Sequence, residues 1–245
     1  MTGVLDAEWS IIRHDLGKVA RPDSRFHLDL ESFIPAFDGI AAASARAIAH
    51  PVFETAKLIF VTPDNSMQPL RREALARGKT LLVPSYGLHR GFLRLGPGTV
   101  PPDLALYASW GDGIQYFAEP VALDRLAEAG QIDLVLAGAA AVASNGRRFG
   151  MGHRYLDVEW NIFATAGMLD ATTPVWTVVH DCQVADGPGP LEADSICADC
   201  VFTPTRQLSV EPAPRPARVR RSTLDALFAE PGTAASLAAH LTLVA

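Results

Sequence analysis

The stretch Lys57-Leu58-Ile59-Phe60-Val61-Thr62-Pro63-Asp64-Asn65-Ser66, read on through Gly78-Lys79-Thr80-Leu81-Leu82-Val83-Pro84, decides the fold. Residues 57–62 are a short apolar run with β-branched members, closed by a Pro-Asp-Asn-Ser turn signal, which is how a buried strand reads. A helix is predicted over 67–77, Gly78 ends it, and Lys79 to Pro84 reads as the next strand. Strand, helix and strand joined by connections of a few residues form a βαβ unit, and its two strands have to be parallel.

The alternation recurs downstream, with a helix near 121–129, a strand at 132–137, a helix near 155–167 and a strand at 175–180. A strand is also expected into Val201-Phe202. This pattern predicts an α/β fold with a mainly parallel sheet flanked by helices. Upstream lie a helix over 5–19, an irregular segment through Phe37 and an Ala-rich helix from about 41 to 49. Gly96-Pro97-Gly98 and Pro101-Pro102 mark surface connections. Three prolines within 211–216 read as a stiff connector, so the expected organisation is one α/β domain over 1–210 and a tail over 211–245. In that tail the basic stretch Arg215 to Arg221 reads as the solvated start of a helix over 222–229.

The composition excludes several classes. With 245 residues and 49% hydrophobic content, the chain can bury a core without disulfides or a structural metal. A net charge of −6 gives no positive field for nucleic acid or an anionic membrane, and no apolar run reaches the length of a membrane span. Three cysteines are too few for a secreted disulfide framework and, with no basic leader before an apolar run, point to a cytoplasmic protein. The expected partner is a small molecule, and the sequence leaves an oligomer open.

Ligands of α/β sheets gather beyond the carboxyl ends of the strands, which singles out three stretches. In Pro63 to Lys79, Arg71, Arg72 and Lys79 either face an anion or are exposed helix and strand-edge residues. In Gly146-Arg147-Arg148-Phe149-Gly150-Met151-Gly152-His153-Arg154-Tyr155-Leu156-Asp157, glycines and basic residues precede a helix, as a phosphate site would require and as a tight turn would also explain. Asp157 there either binds a divalent ion or caps the helix, and Tyr155, Val158 and Ile162 form a stripe of core character. The third is Val179-His180-Asp181-Cys182-Gln183, either site residues or the start of a loop. Cys197 and Cys200 have the spacing of half a zinc site, but no second cysteine pair exists, so buried thiols are expected. A His180–Cys182 nucleophile pair is not expected from strand geometry.

These stretches resemble the 5-formyltetrahydrofolate cyclo-ligase family, or methenyltetrahydrofolate synthetases, and especially a cyclo-ligase-like branch, over roughly residues 30–208. The resemblance is carried by Ile34-Pro35-Ala36-Phe37 before the Ala-rich helix, Thr62-Pro63-Asp64, Pro69-Leu70-Arg71, Gly78-Lys79, Gly146 through Glu159, Thr177 through Val184, and Thr203-Pro204-Thr205. It implies a fold related to the sugar-phosphate isomerase and CoA-transferase group, with ATP and Mg²⁺ as cosubstrate and ion. The implied reaction is ATP-driven closure of 5-formyltetrahydrofolate to 5,10-methenyltetrahydrofolate. In the implied site Arg148 and the amides around Gly150, Met151 and Gly152 hold phosphate beside Tyr155. Asp157 helps place Mg²⁺, and Arg71 lies near phosphate or substrate.

The chain also departs from the family. Arg154 replaces the loop's third glycine, and Met151 and His153 stand where the branch commonly has Lys and Glu. Of a lysine–arginine pair on the first helix only Arg13 aligns. Three readings follow. The first is a working cyclo-ligase in which Arg154 and His153 substitute in the loop. The second is an ATP-independent hydrolase or isomerase using His153 or His180 as acid or base on a folate-like or heterocyclic molecule. The third is a non-catalytic folate or nucleotide binder.

Overall fold

The computed structural model describes residues 2–85, 88, 91–189, 195–211 and 215. The helix expected over 222–229 and the basic stretch beyond Arg215 lie outside the described residues. In chain order come α1 (Thr2–Leu16), α2 (Ile40–Ile48), α3 (Pro51–Thr55), β1 (Leu58–Val61), α4 (Gln68–Ala76), β2 (Thr80–Pro84) and β3 (Phe92–Leu95). Then follow α5 (Ala105–Ala108), α6 (Gly111–Phe117), β4 (Glu119–Val121), β5 (Leu134–Leu136), β6 (Ala141–Val142), β7 (Arg148–Phe149) and α7 (His153–Thr165). β8 (Val175–Val178), β9 (Cys200–Phe202) and β10 (Gln207–Ser209) end the described fold.

Eight strands form one sheet in the order β10-β9-β8-β5-β1-β2-β3-β4. The middle of it, from β9 to β2, is parallel, as the βαβ reading requires, and both edges are antiparallel. The strand period of two gives each central strand two buried faces. Leu58, Phe60, Leu82, Val135 and Val175 pack on one side with Leu156, Val158 and Phe163 of α7. Ile59, Val61, Leu81, Leu136 and Trp176 pack on the other with Ala43 and Ala47 of α2 and Leu70 and Ala74 of α4. The result is helix, sheet and helix in three layers.

Three expectations need correcting. The helix expected near 121–129 is instead the edge strand β4, a position that tolerates Pro120, followed by a 3-10 helix over Leu123–Ala129. The strand expected to reach His180 ends at Val178, and the chain then turns into a 3-10 helix over Asp181–Gln183. The supposed glycine loop contains a hairpin of β6 and β7. Within it, Gly146 lies at φ 77°, and an added Cβ would sit 2.1 Å from the Ala198 carbonyl oxygen, so this glycine serves backbone packing.

Candidate functional site

The chain runs from β1 to β2 on one side of the sheet and from β5 to β8 and β9 on the other. The connections therefore diverge between β1 and β5, which is where a parallel sheet opens a crevice at its carboxyl edge. A cleft of about 170 Å³ lies there, room for a ligand rather than for one buried water. Thr62 to Asn65 after β1, Gly138 after β5 and Ser85 after β2 line it, together with Met151, Gly152, Tyr155, Leu156 and Glu159 at the front of α7. The irregular segment before α2 closes it with Arg25, Phe26, Phe33 and Ile34, and α6 adds Ile114 and Gln115.

Asp64 is fixed by the two strand ends. Thr62 Oγ1 donates to Asp64 Oδ2 at 2.5 Å and accepts the Gly138 N–H at 2.9 Å. A Cβ on Gly138 would lie 2.2 Å from Asp64 Oδ2, so only glycine lets the carboxyl lie over this backbone. Behind the turn Arg71 is fully buried; its Nε donates to the Ser109 carbonyl at 2.7 Å, and its Nη1 to the carbonyls of Thr62 at 2.6 Å and Asp64 at 3.0 Å. Arg71 is thus neither an exposed helix arginine nor a lining residue; it fastens the turn that carries Asp64. Burial pushes its pKa down to about 10, against the pull of the Asp64 charge.

Residues 156–163 of α7 are all buried, and among them stand Asp157, Glu159 and Asn161. Carboxylates do not stay in such a place without partners. Asp157 Oδ1 accepts the Ile196 N–H at 3.0 Å and lies 3.8 Å from Arg148 Nη2, and it does not line the cleft. Glu159 does line it, is 2% exposed, and its Oε2 has no hydrogen-bond partner among the described residues. Burial, with the charge of Asp64, pushes the Glu159 carboxyl up to about 8. Burial likewise raises Asp64, against its hydrogen bond from Thr62 and the charges of Arg71 and Arg148. Arg148, 2% exposed, borders the same cleft.

Across the mouth, Arg25 bonds Asp23 with Nε at 3.1 Å and Nη2 at 3.2 Å, and Asn65 Nδ2 donates to Asp23 at 2.8 Å. Arg25 Nη1 also reaches Asp112 at 3.3 Å. The irregular segment is in this way tied both to the β1 turn and to α6. Burial opposes the charge of Asp23, but the bonds from Arg25 and Asn65 outweigh it and hold the carboxyl well below the usual range.

Of the residues expected from sequence, Arg148, Met151, Gly152 and Tyr155 meet at the cleft. Gly152 starts α7 at φ 73°, and Tyr155 borders the cleft while packing on the core. Gly150 is spent on packing, since a Cβ there would stand 3.0 Å from Ala140 Cβ and 3.1 Å from the Trp9 ring. Arg154 is half-buried and does not line the cleft, and His153 is the first residue of α7, its side chain outside what the structure describes. Lys79 opens β2 at the opposite end of the strand, donating to the carbonyls of Glu54 at 2.7 Å and Ala56 at 2.8 Å. His180 does not line the cleft. It caps the 3-10 turn, its Nδ1 accepting the Cys182 N–H at 3.2 Å and lying 3.1 Å from Cys182 Sγ. The cap of the 3-10 turn brings the two side chains into contact, yet burial, with Asp15, pushes the Cys182 thiol up to about 11, which is wrong for a nucleophile. Cys197 and Cys200 are buried thiols, and no group of three metal-ligating side chains occurs among the described residues.

Sequence reading passed over Asp64 and Glu159 as site residues. Asp64 follows β1 directly, and Glu159 lies one helical turn beyond Tyr155 on the same face, a spacing that could have found it.

These features define a three-layer α/β protein with a small-molecule cleft at the divergence of its central strands. The chain belongs to the 5-formyltetrahydrofolate cyclo-ligase family, whose model matches residues 10–204. A mouse methenyltetrahydrofolate synthase domain-containing protein is 35% identical over 202 residues, covering 80% of this chain and 51% of that protein. The human protein of the same name is 35% identical over 182 residues, covering 72% and 46%. The chain spans about half the length of the curated relatives it matches. A solved Aquifex aeolicus 5,10-methenyltetrahydrofolate synthetase superposes with a TM-score of 0.48 at 16% identity, covering 87% of this chain and 97% of that one. No described helix is long and apolar enough to cross a membrane.

Proposed function

We propose that this chain closes 5-formyltetrahydrofolate to 5,10-methenyltetrahydrofolate at the expense of ATP. The observation that carries the reading is the cleft itself, in a chain of this family: apolar and aromatic walls enclose a small number of buried charged groups at the sheet's switch point. When bound, ATP supplies the phosphoryl group that makes the formyl oxygen a leaving group. Phosphoryl transfer then needs positioning and charge stabilisation more than a protein nucleophile.

The fit to a nucleotide rests on the cleft wall at Met151 and Gly152. Gly152 opens a helix of 13 residues whose N-terminal amides carry partial positive charge, and Arg148 and Arg25 line the same cleft. Met151 adds contact but no charge. Magnesium fits less well. Asp157, the residue implied by the family resemblance, already serves Ile196 and Arg148, and the described residues build no cation site of their own. Phe33, Ile34 and Tyr155 would press on a flat ring and keep water from it.

The test is incubation of the purified chain with 5-formyltetrahydrofolate, with and without Mg-ATP, following methenyltetrahydrofolate by its absorbance. ATP-dependent product is expected. Absence of product together with absence of Mg-ATP binding in calorimetry overturns the reading.

A further inference from the structure

We propose that Glu159 is the cleft's acceptor for a ring edge bearing two neighbouring N–H donors, so that the site selects planar heterocycles with an amino group beside a ring N–H. The assignment deepens the ring-closure reading and rests on it for the role of the cleft, since a reduced folate carries such an edge on its bicyclic ring.

The argument begins with an acceptor that the fold leaves unsatisfied. Glu159 is 2% exposed and borders the cleft, and its Oε2 has no hydrogen-bond partner among the described residues. A buried polar atom without a partner costs about 1–3 kcal/mol, more when charged, so its retention in a helix otherwise able to hold an apolar residue calls for a donor from outside the chain. The neighbouring Asp157 shows the contrast: its carboxyl, equally buried, is engaged by Ile196 and Arg148.

The surroundings narrow what that donor is. An anion is disfavoured, because Asp64 and Asp157 add negative charge around Glu159 against the single guanidinium of Arg148. A divalent cation is disfavoured too, because no group of three ligating side chains is present among the described residues. The apolar walls at Phe33, Ile34 and Tyr155 favour a flat ring over a hydrated alkyl ammonium. On meeting a ring edge with adjacent N–H groups the Glu159 carboxyl gives its proton up to solvent, and its two coplanar oxygens then accept both donors at once.

The experiment is calorimetric binding of two probes at pH 7, 2-amino-4-oxopteridine and 2,4-dioxopteridine, which differ in that the second has a carbonyl in place of the amino group. The native chain is expected to bind the amino compound at least tenfold more tightly, because the second probe turns a carbonyl oxygen toward the carboxyl where the first offers a donor, and to release protons to the buffer as it does so. In Glu159→Gln the preference is expected to shrink to twofold or less, and in Glu159→Asp, which keeps the carboxyl group, to persist in part. Equal binding of the two probes by the native chain, binding of neither, or an undiminished preference in a folded Glu159→Gln overturns the assignment. The native comparison stands even if a variant fails to fold. The two proposals fail separately: selective binding of the amino compound without ATP-dependent turnover sinks the ring-closure reading alone. Turnover with an unaltered KM in Glu159→Gln sinks the edge assignment alone.

Discussion

Glu159 and Gly138 concentrate the tension between stability and function in single residues. Glu159 loses its proton near its ordinary value of 4.5 in the unfolded chain but only at about 8 in the folded one. The folded state therefore binds the extra proton between these values, and stability falls as pH rises from 4.5 to 8. Glutamine cannot ionise. Glu159→Gln should match the native chain below pH 4.5 and exceed it by a few kcal/mol above pH 8, a difference that denaturant titrations at the two pH values would read. Gly138→Ala places a methyl group against the Asp64 carboxyl, so we expect a loss of about 1–3 kcal/mol in a denaturant melt. Displacement of Asp64 should also weaken ligand binding in the same variant. An alanine variant with native stability and affinity would show that the turn is looser than the structure gives it.

Arg71 belongs to the scale of elements, since it joins α4, the turn after β1 and the C-terminal end of α5 through three carbonyl groups. Replacing it with Met keeps the stem but leaves those buried acceptors without a donor, and removal of such a group costs about 3–5 kcal/mol. Urea unfolding of Arg71→Met should register that loss, whereas a mere ligand contact would leave the midpoint unchanged. The 3-10 turn at Asp181–Gln183 gives a second expectation. Burial keeps the Cys182 thiol protonated up to about 11, so the folded chain should alkylate far more slowly than the unfolded chain at pH 7.5, and rapid labelling would contradict the structure.

At the scale of the whole molecule, the irregular segment closes the cleft that the sheet opens at its carboxyl edge. Asp23 holds that closure through Arg25 and Asn65. Its carboxyl is depressed in the folded state, so the stabilisation is present above its ordinary value of 3.8 and is lost as pH falls below it. Asp23→Ala should raise KM more than it lowers kcat, because the tie orders the mouth and not the reacting atoms. An unchanged KM would remove the segment from ligand binding.

The sequence by itself determined the alternating layers. Short β-branched runs closed by turn residues, with helical periods between them, suffice because they are local signals, and the period of two put Leu58 and Phe60 on one face and Ile59 and Val61 on the other. The phosphate-loop motif also led to Arg148, Met151, Gly152 and Tyr155, which do meet at the cleft. The tertiary structure alone decided which polar residues face it. Arg71 and Asp157 carry the same charges as Arg148 and Glu159, but Arg71 is turned to backbone carbonyls and Asp157 to Ile196 and Arg148. No local pattern encodes that choice, because it depends on which strand end, hairpin or distant segment lies opposite each side chain once the sheet is assembled, and a buried charge takes whichever partner is within reach.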